Sequence, residues 1–360
     1  MTLIGKLKRR SITIAGVTVN PGRRQKVYLD VAKLYTHTSL ELVIEVIHGR
    51  RDGPVLLVSA AIHGDELNGV EICRQLLKHH SLDRIRGTLV VVPVVNIFGF
   101  IHRSRYLPDR RDLNRCFPGT PTGSVGGRAA YLFRTEIMNH CTHAIDLHTG
   151  AVHRSNLPQI RANLDNQVAE LMALNFGAPV VIDSKVRDGS LRECADKEGI
   201  PIILYEAGEA LRFDMHSIKA GVRGVMNVMR CLDMLPKTSH SKKKSSPVIA
   251  RASYWIRADH DGTCLFIARL GQRVKKGDVL ALISSPFSQN DSEVISKTNG
   301  IIIGRNNIPL VNEGDALFHI AKFDTIVKAE QSVESFISQI QDDPLLDQPT
   351  DAINEPYGDN

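Results

Sequence analysis

For about two-thirds of the chain, apolar runs of strand length alternate with stretches of helical period. Residues 11–19 alternate apolar and polar, 26–34 are β-like, and 40–47 are rich in Leu, Val and Ile before a turn at 49–54, so the chain opens on strands that form the leading edge of a sheet. A buried strand is expected over 55–61, a helix over 66–80 and a further apolar strand over 87–95. Helices follow over about 128–141, 166–176, 190–198 and 215–235, with strands at 143–148, 179–182 and 200–205. This β-α-β alternation predicts an α/β fold, a mixed sheet with helices on both faces. The pattern then changes. Residues 236–247 are polar, without periodicity, and read as a linker. From 248 to 323 short strands are punctuated by Gly262, Gly271, Gly277, Gly300, Gly304 and Gly314, an all-β signature. One amphipathic helix is expected from 324 to about 341, and the acidic tail 342–360 is expected to be disordered. The expected division is thus a catalytic domain 1–235 that includes an N-terminal β segment 1–47, a linker, a small β domain, and a helix with a tail.

Composition adds limits rather than a function. With 360 residues, 42% hydrophobic and 23% charged, the chain is an ordinary soluble globular one, longer than a single typical domain. No apolar run approaches the roughly 18 residues a membrane span needs. The basic start at 6–10 leads into strand alternation with no clear cleavage site, so a cytoplasmic protein without a membrane partner is expected. Six scattered cysteines with no Cys-x-x-Cys pair argue against a disulfide framework and against a thiolate zinc knuckle, and are expected to be reduced. The net charge of +6 is dispersed, and its one dense run, Lys242–Lys244, lies in a Ser-rich stretch of solvated linker type. Nucleic acid is therefore not an expected partner. Basic residues inside a cleft would suit a small anionic substrate instead.

Candidate chemistry gathers at strand ends, where α/β proteins place it. The run from Val55 stops at His63-Gly64-Asp65-Glu66, and a histidine and a carboxylate three residues apart at a helix start can grip one zinc ion. The alternative is a helix N-terminus in which Asp65 caps and Glu66 favours the dipole. A third ligand is offered by His148, which strand alternation puts on one face with Asp146, a group able to orient its neighbour. Glu206 follows the apolar run 200–204 and precedes Ala-Gly, which suits a base with room for substrate beside it; otherwise it is a surface carboxylate. Between the strands, 99–127 breaks into a long Arg-rich loop of the kind that usually serves function. Three ligands leave zinc's fourth position open, the catalytic arrangement. A serine-hydrolase elbow is absent from the sequence.

These motifs, His-Gly-Asp-Glu, Ser-Arg-Tyr followed by Asp-Leu-Asn-Arg, Asp-Leu-His-Thr-Gly, and a strand ending in Glu-x-Gly, run in an order that resembles the succinylglutamate desuccinylase/aspartoacylase family of the zinc carboxypeptidase superfamily. The resemblance covers about residues 40–235. It implies one zinc held by His63, Glu66 and His148, with Glu206 as general acid/base and Asp112 supporting His63. It further implies that Arg105 polarises the scissile carbonyl and that Asn114 and Arg115 hold the carboxylate of an N-acyl amino acid. The stretch from Arg105 to Asn114 is two residues longer than in aspartoacylase, which makes Arg110 and Arg111 competitors for the role of Arg105. Arg192 is a candidate for a second substrate carboxylate, or else a helix-surface arginine. The C-terminal region resembles barrel-sandwich modules of biotinyl and lipoyl type without their Met-Lys-Met lysine motif, which implies a structural or substrate-restricting lobe. The expected activity is a zinc deacylase for N-acyl amino acids. Its rivals are a zinc carboxypeptidase trimming acidic residues from a peptide tail and a non-catalytic binding protein; a homo-oligomer is left open.

Overall fold

The computed structural model describes residues 9–237, 247–285, 287, 291–323 and 326–341. The first strands are a hairpin, β1 (Ile12–Ile14) and β2 (Val17–Val19), then β3 (Arg23–Lys33), β4 (Ser39–His48) and β5 (Arg51–Ala60). There follow α1 (Asn68–Leu76), β6 (Arg86–Val92), α2 (Ile97–His102), α3 (Val125–Glu136), β7 (His143–Gly150), β8 (Arg154–Ala162), α4 (Gln167–Phe176), β9 (Val180–Asp183), α5 (Leu191–Lys197), β10 (Ile202–Glu209) and α6 (Met215–Cys231). Among the described residues β10, β7, β5 and β6 form the parallel centre of one mixed sheet, with β4 and β3 antiparallel on one side and β8 antiparallel on the other.

Alternation along the central strands separates two cores. Leu56, Val58 and Ala60 face α1, α4 and α6 through Ile72, Met172, Phe176 and Val225, whereas Leu57 and Ala144 face α3 and α5 through Phe133 and Ala195. Helices thus cover both faces, and the strand ends between them are the free place for a site. Three expectations change. Residues 11–19 are not one strand: the chain turns at Ala15 and Gly16, both at positive φ, and the hairpin makes its own two-stranded sheet, so the edge of the main sheet is β3. The 66–80 helix is shorter, ending at Leu76 before a 3-10 turn at His80–Arg84. The strand β8 falls on a stretch with no sequence expectation at all.

Apart from its first strand, Val248–Ala250, which pairs parallel with β9, the C-terminal region is antiparallel β in two sheets. Strands β11 (Val248–Ala250) and β12 (Ala252–Arg257) lead to β13 (Gly262–Phe266), β14 (Arg273–Val274), β15 (Val279–Ser284), β16 (Asp291–Ile295), β17 (Gly300–Asn306), β18 (Leu310–Val311), β19 (Ala316–Lys322) and helix α7 (Ile326–Gln341). One sheet runs β16-β15-β13-β18, and the other, β12-β19-β17, joins the main sheet where β17 pairs with β8 at Gly304↔Asn156. Ile256, Leu280, Ile283 and Phe318 fill the space between them. A separate cluster of Leu157, Val180, Ile182, Ile301, Ile303 and Val333 packs the two regions together. Most of the expected 236–247 linker and all of the 342–360 tail lie outside the described residues. No helix among the described residues is long and apolar enough to cross a membrane.

Gly64 shows how closely the strand-end turn is packed. A Cβ there would lie 1.9 Å from the backbone carbon of Gly99 and 2.1 Å from the nitrogen of Phe100, neither of which is a flexible side-chain end. Gly64→Ala is therefore expected to cost about 2–3 kcal/mol, roughly 4–12 °C in Tm for a domain of this size. Calorimetry at matched metal content checks this, and an unchanged Tm would show that α2 yields freely.

Candidate active site

The carboxyl ends of β5 and β7 lie side by side, with Ser59 opposite Asp146 and Ala60 opposite Leu147. Beyond β5 the chain turns through Ala61 at φ 47° and delivers His63 and Glu66 just before α1. Neither acid of the turn caps that helix: its N-cap is Leu67, without a side-chain bond, and one oxygen of buried Asp65 has no partner. Glu66 points inward and lies between two imidazoles, 2.7 Å from His63 Nδ1 and 2.9 Å from His148 Nδ1. The backbone N–H of Thr149 donates to the same carboxylate at 3.1 Å. All three side chains are buried, and their ligand atoms lie within 4.8 Å of one another.

Both rings are anchored from behind. His63 Nε2 is 3.1 Å from Asp112 Oδ1 and His148 Nε2 is 2.7 Å from Asp146 Oδ2, while Ser59 donates to the other Asp146 oxygen at 2.8 Å. Burial disfavours charge on both rings, but Glu66 with Asp112 at His63, and Asp146 with Glu66 at His148, outweigh it and raise both pKa values. Burial likewise opposes charge on Glu66, yet the two histidines hold it well below the usual carboxylate range. The polar demand at the centre is that of a cation site: each Nε2 is committed to a carboxylate, so each Nδ1 faces inward beside Glu66, where a divalent ion would balance the carboxylate. Two imidazole nitrogens and one carboxylate suit zinc.

Arg105 reaches this centre, with Nη1 3.3 Å from Glu66 and Nη2 3.0 Å from Asp112. The extra residues in its loop form a self-closed turn, in which Arg110 N–H donates to Leu107 and Leu107 N–H donates to Arg111, so Arg105 and Asp112 still meet. Arg110 is exposed; Arg111 is also exposed and donates to Ser124, away from the cleft. Asn114 is buried, and its side-chain oxygen accepts from Leu191 N–H at 2.9 Å, leaving its NH2 for a ligand. Arg115, beside it, lines the same cleft and donates to the Asn114 carbonyl. Arg192 is not on a helix surface; it is 7% exposed and lines the cleft.

Glu206 stands opposite His148 across the parallel β10–β7 pair, and the register breaks just after it, where Gly208 takes φ 74°. Its Oε2 accepts from Asn156 Nδ2 at 2.7 Å and lies 3.3 Å from Arg161. Both partners come from β8, and neither is among the site residues expected from sequence. Also outside that expectation are Trp255 and His319, which reach the cleft from the C-terminal region. The whole cleft has a volume of about 710 Å³.

Comparison with known proteins agrees with this geometry. The model of the succinylglutamate desuccinylase/aspartoacylase catalytic domain matches residues 52–232. The chain belongs to that family. Members are deacylases, hydrolases of carbon–nitrogen bonds, and here the family's His-Glu-His set is assembled in one place. A curated relative, N-alpha-acetyl-L-2,4-diaminobutyric acid deacetylase from Halomonas elongata, is 25% identical over 76% of this chain and 83% of its own. Among solved structures, a succinylglutamate desuccinylase/aspartoacylase from Rhodobacter sphaeroides superposes with a TM-score of 0.75 at 22% identity, covering 83% of this chain and 96% of that one. The ectoine utilization protein EutE (DoeB) of Ruegeria pomeroyi gives 0.74 at 23%, covering 83% and 95%. At those identities the two structures speak for the fold, C-terminal β region included.

Proposed function

We propose that this family member is a zinc-dependent deacylase that hydrolyses the amide bond of an N-acyl amino acid bearing a free carboxylate. The observation that carries the reading is the placement of Glu206 beside His148 in a cleft that also holds the His63-Glu66-His148 set, Arg105 and the Asn114–Arg115 pair. The activity in the name of the Halomonas relative supports the reaction class. Zinc, when bound by His63, Glu66 and His148, supplies Lewis acidity at an open fourth position.

The chain's own groups supply the rest. Glu206, with Oε2 tied to Asn156 and Arg161, keeps Oε1 to take a proton from the attacking water and return it to the leaving amine. The Arg105 guanidinium is fixed where negative charge develops on the carbonyl oxygen, and a preorganised cation there needs no rearrangement during reaction. Asp112 and Asp146 hold the two imidazoles in one tautomer and orientation. The test is to load the protein with zinc, offer a panel of N-acyl amino acids and measure released amine. No release from any of them by metal-replete protein would overturn the reading.

The Asn114–Arg115 pair carries its own prediction. An Asn NH2 beside a guanidinium offers several donors in fixed directions, which matches a planar carboxylate and leaves an ester or amide poorly paired. Methylating the substrate carboxylate is expected to cost about 2 kcal/mol, roughly thirtyfold in kcat/KM, and Arg115→Ala is expected to shrink that difference. Equal acid-to-ester ratios in wild type and variant would remove Arg115 from carboxylate recognition.

A further inference from the structure

Positive charge that is scattered along the sequence is gathered by the fold at the end of the sheet away from the metal set. Strands β3 and β5 begin there at Arg23 and Arg51, β4 ends there at His48, and the 3-10 turn His80–Arg84 leads into β6. These ends surround a recess of about 480 Å³. Buried Ile47, Leu82 and Ile85 line its floor, and Arg23, Arg24, Arg50, Arg51 and Arg84 line its rim. Strand β5 runs for 10 residues from this recess to Ala60, roughly 30 Å at the rise of a strand, so a ligand here does not touch the catalytic groups. Arg24 is paired with Glu45 and donates to the Leu77 carbonyl at 2.8 Å. The other four are not matched. Arg23, Arg50, Arg51 and Arg84 are exposed, their side chains make no ion pair or hydrogen bond among the described residues, and the one carboxylate in the lining is Asp83.

The frame of the recess is backbone, tied from several directions. Gly22 N–H donates to the His48 carbonyl at 2.7 Å and Gly49 N–H to that of Gly87 at 2.9 Å, which joins the three chain segments. A Cβ at Gly49 would lie 2.1 Å from the Ile85 carbonyl oxygen, so the segments meet without room to shift. Arg9 secures them from behind. Its side chain is 8% exposed, its Nη1 donates to the carbonyls of Gly49, Arg51 and Gly87, and its Nη2 donates to Thr88 Oγ1. Asp52 lies 3.6 Å from Arg9 Nε, so the acid nearest in sequence to Arg50 and Arg51 balances Arg9 instead. Four guanidiniums are thus held around one recess with little to offset their mutual repulsion, an arrangement that an anion stabilises.

We propose that Arg23, Arg50, Arg51 and Arg84 form a second binding site, remote from catalysis, for a small organic anion that carries two phosphate groups on a planar or apolar body. The recess has the volume of a small-molecule pocket, and its apolar floor calls for more than an inorganic ion. Each phosphate brings close to two negative charges and three acceptor oxygens, so two of them match four guanidinium forks, where a carboxylate ligand would need about four groups. The arginines surround one recess instead of forming a stripe, which favours a small molecule over a nucleic acid strand. The site stands apart from the deacylase reading, and its test needs no turnover. Zinc-loaded protein is titrated calorimetrically with adenosine 3′,5′-bisphosphate, adenosine, inorganic phosphate and a single-stranded DNA oligomer. The bisphosphate is expected to saturate one site and to bind at least about tenfold more tightly than adenosine or phosphate. In Arg50→Gln and in Arg84→Gln, both changes at exposed positions, its affinity is expected to fall roughly tenfold or more, the size of one lost charge-assisted contact, with circular dichroism unchanged. Arg84→Lys, which keeps the charge but not the fork, is expected to fall between Arg84→Gln and wild type. The main cleft is also basic, so Arg115→Ala serves as the control, and bisphosphate affinity is expected to be the same there as in wild type. Affinity that survives both Arg50→Gln and Arg84→Gln, or that Arg115→Ala abolishes, overturns the site. No saturable bisphosphate binding, phosphate alone binding as tightly, or the DNA oligomer binding more tightly than the bisphosphate overturns it equally.

Discussion

Replacing His148 with alanine is expected to release the metal and abolish turnover while the sheet remains folded. His148 lies near the end of β7, whose apolar residues Ala144, Ile145 and Leu147 are buried on both faces, so the scaffold does not depend on the imidazole. The metal does. Without His148 the set keeps one nitrogen and one carboxylate, and Glu66 loses one of the two rings between which it is held. Loss of an outer-shell partner such as Asp146 typically weakens metal affinity about 10–100-fold, and loss of a direct ligand is expected to exceed that. Elemental analysis after dialysis gives the stoichiometry, circular dichroism the fold, and amine release the activity. His63→Ala is expected to behave in the same way. Full metal occupancy in both folded variants would place the metal elsewhere.

What could be read in the sequence depended on whether a functional residue interrupts a pattern or follows it. His63, Glu66, His148 and Glu206 stand where the apolar runs of β5, β7 and β10 give way to polar residues, so the buried runs themselves mark them. The same buried strands made the layered α/β fold legible. Strand β8 was not legible, because Arg154, Asn156, Gln159 and Arg161 alternate with few apolar residues around Pro158, and Asn156 and Arg161 serve Glu206 rather than a core. Its function erases its signal. Trp255 and His319 were missed for a different reason: they join the cleft through the pairing of β17 with β8, a long-range contact that local periodicity does not contain. At that pairing Gly304 lies against the site, since a Cβ there would lie 2.9 Å from Asn156 Oδ1 and 3.2 Å from His319 Cβ and would push on both side chains. The glycine read only as strand punctuation is where the C-terminal region touches the group that holds Glu206.

Glu206→Gln is expected to lower kcat by about a hundredfold or more while metal content and substrate binding stay near wild type, because the amide keeps the carboxylate's shape but has no site basic enough to take the water's proton. Its surroundings should tolerate the change unevenly. The amide oxygen can still accept from Asn156 Nδ2, so the side chain should remain in place, whereas Arg161 loses the only carboxylate it pairs with among the described residues. That loss adds one more uncompensated guanidinium to a cleft already rich in them, so substrate anions should bind at least as tightly, and KM should hold or fall. The pattern separates the proposed role from a structural one. A base that acts only in the chemical step gives a low kcat with intact KM, whereas a residue that merely supports the cleft gives a raised KM or a lost metal. Steady-state kinetics with elemental analysis on the same preparation decides between them, and near-normal turnover in a metal-replete Glu206→Gln protein would take Glu206 out of the mechanism.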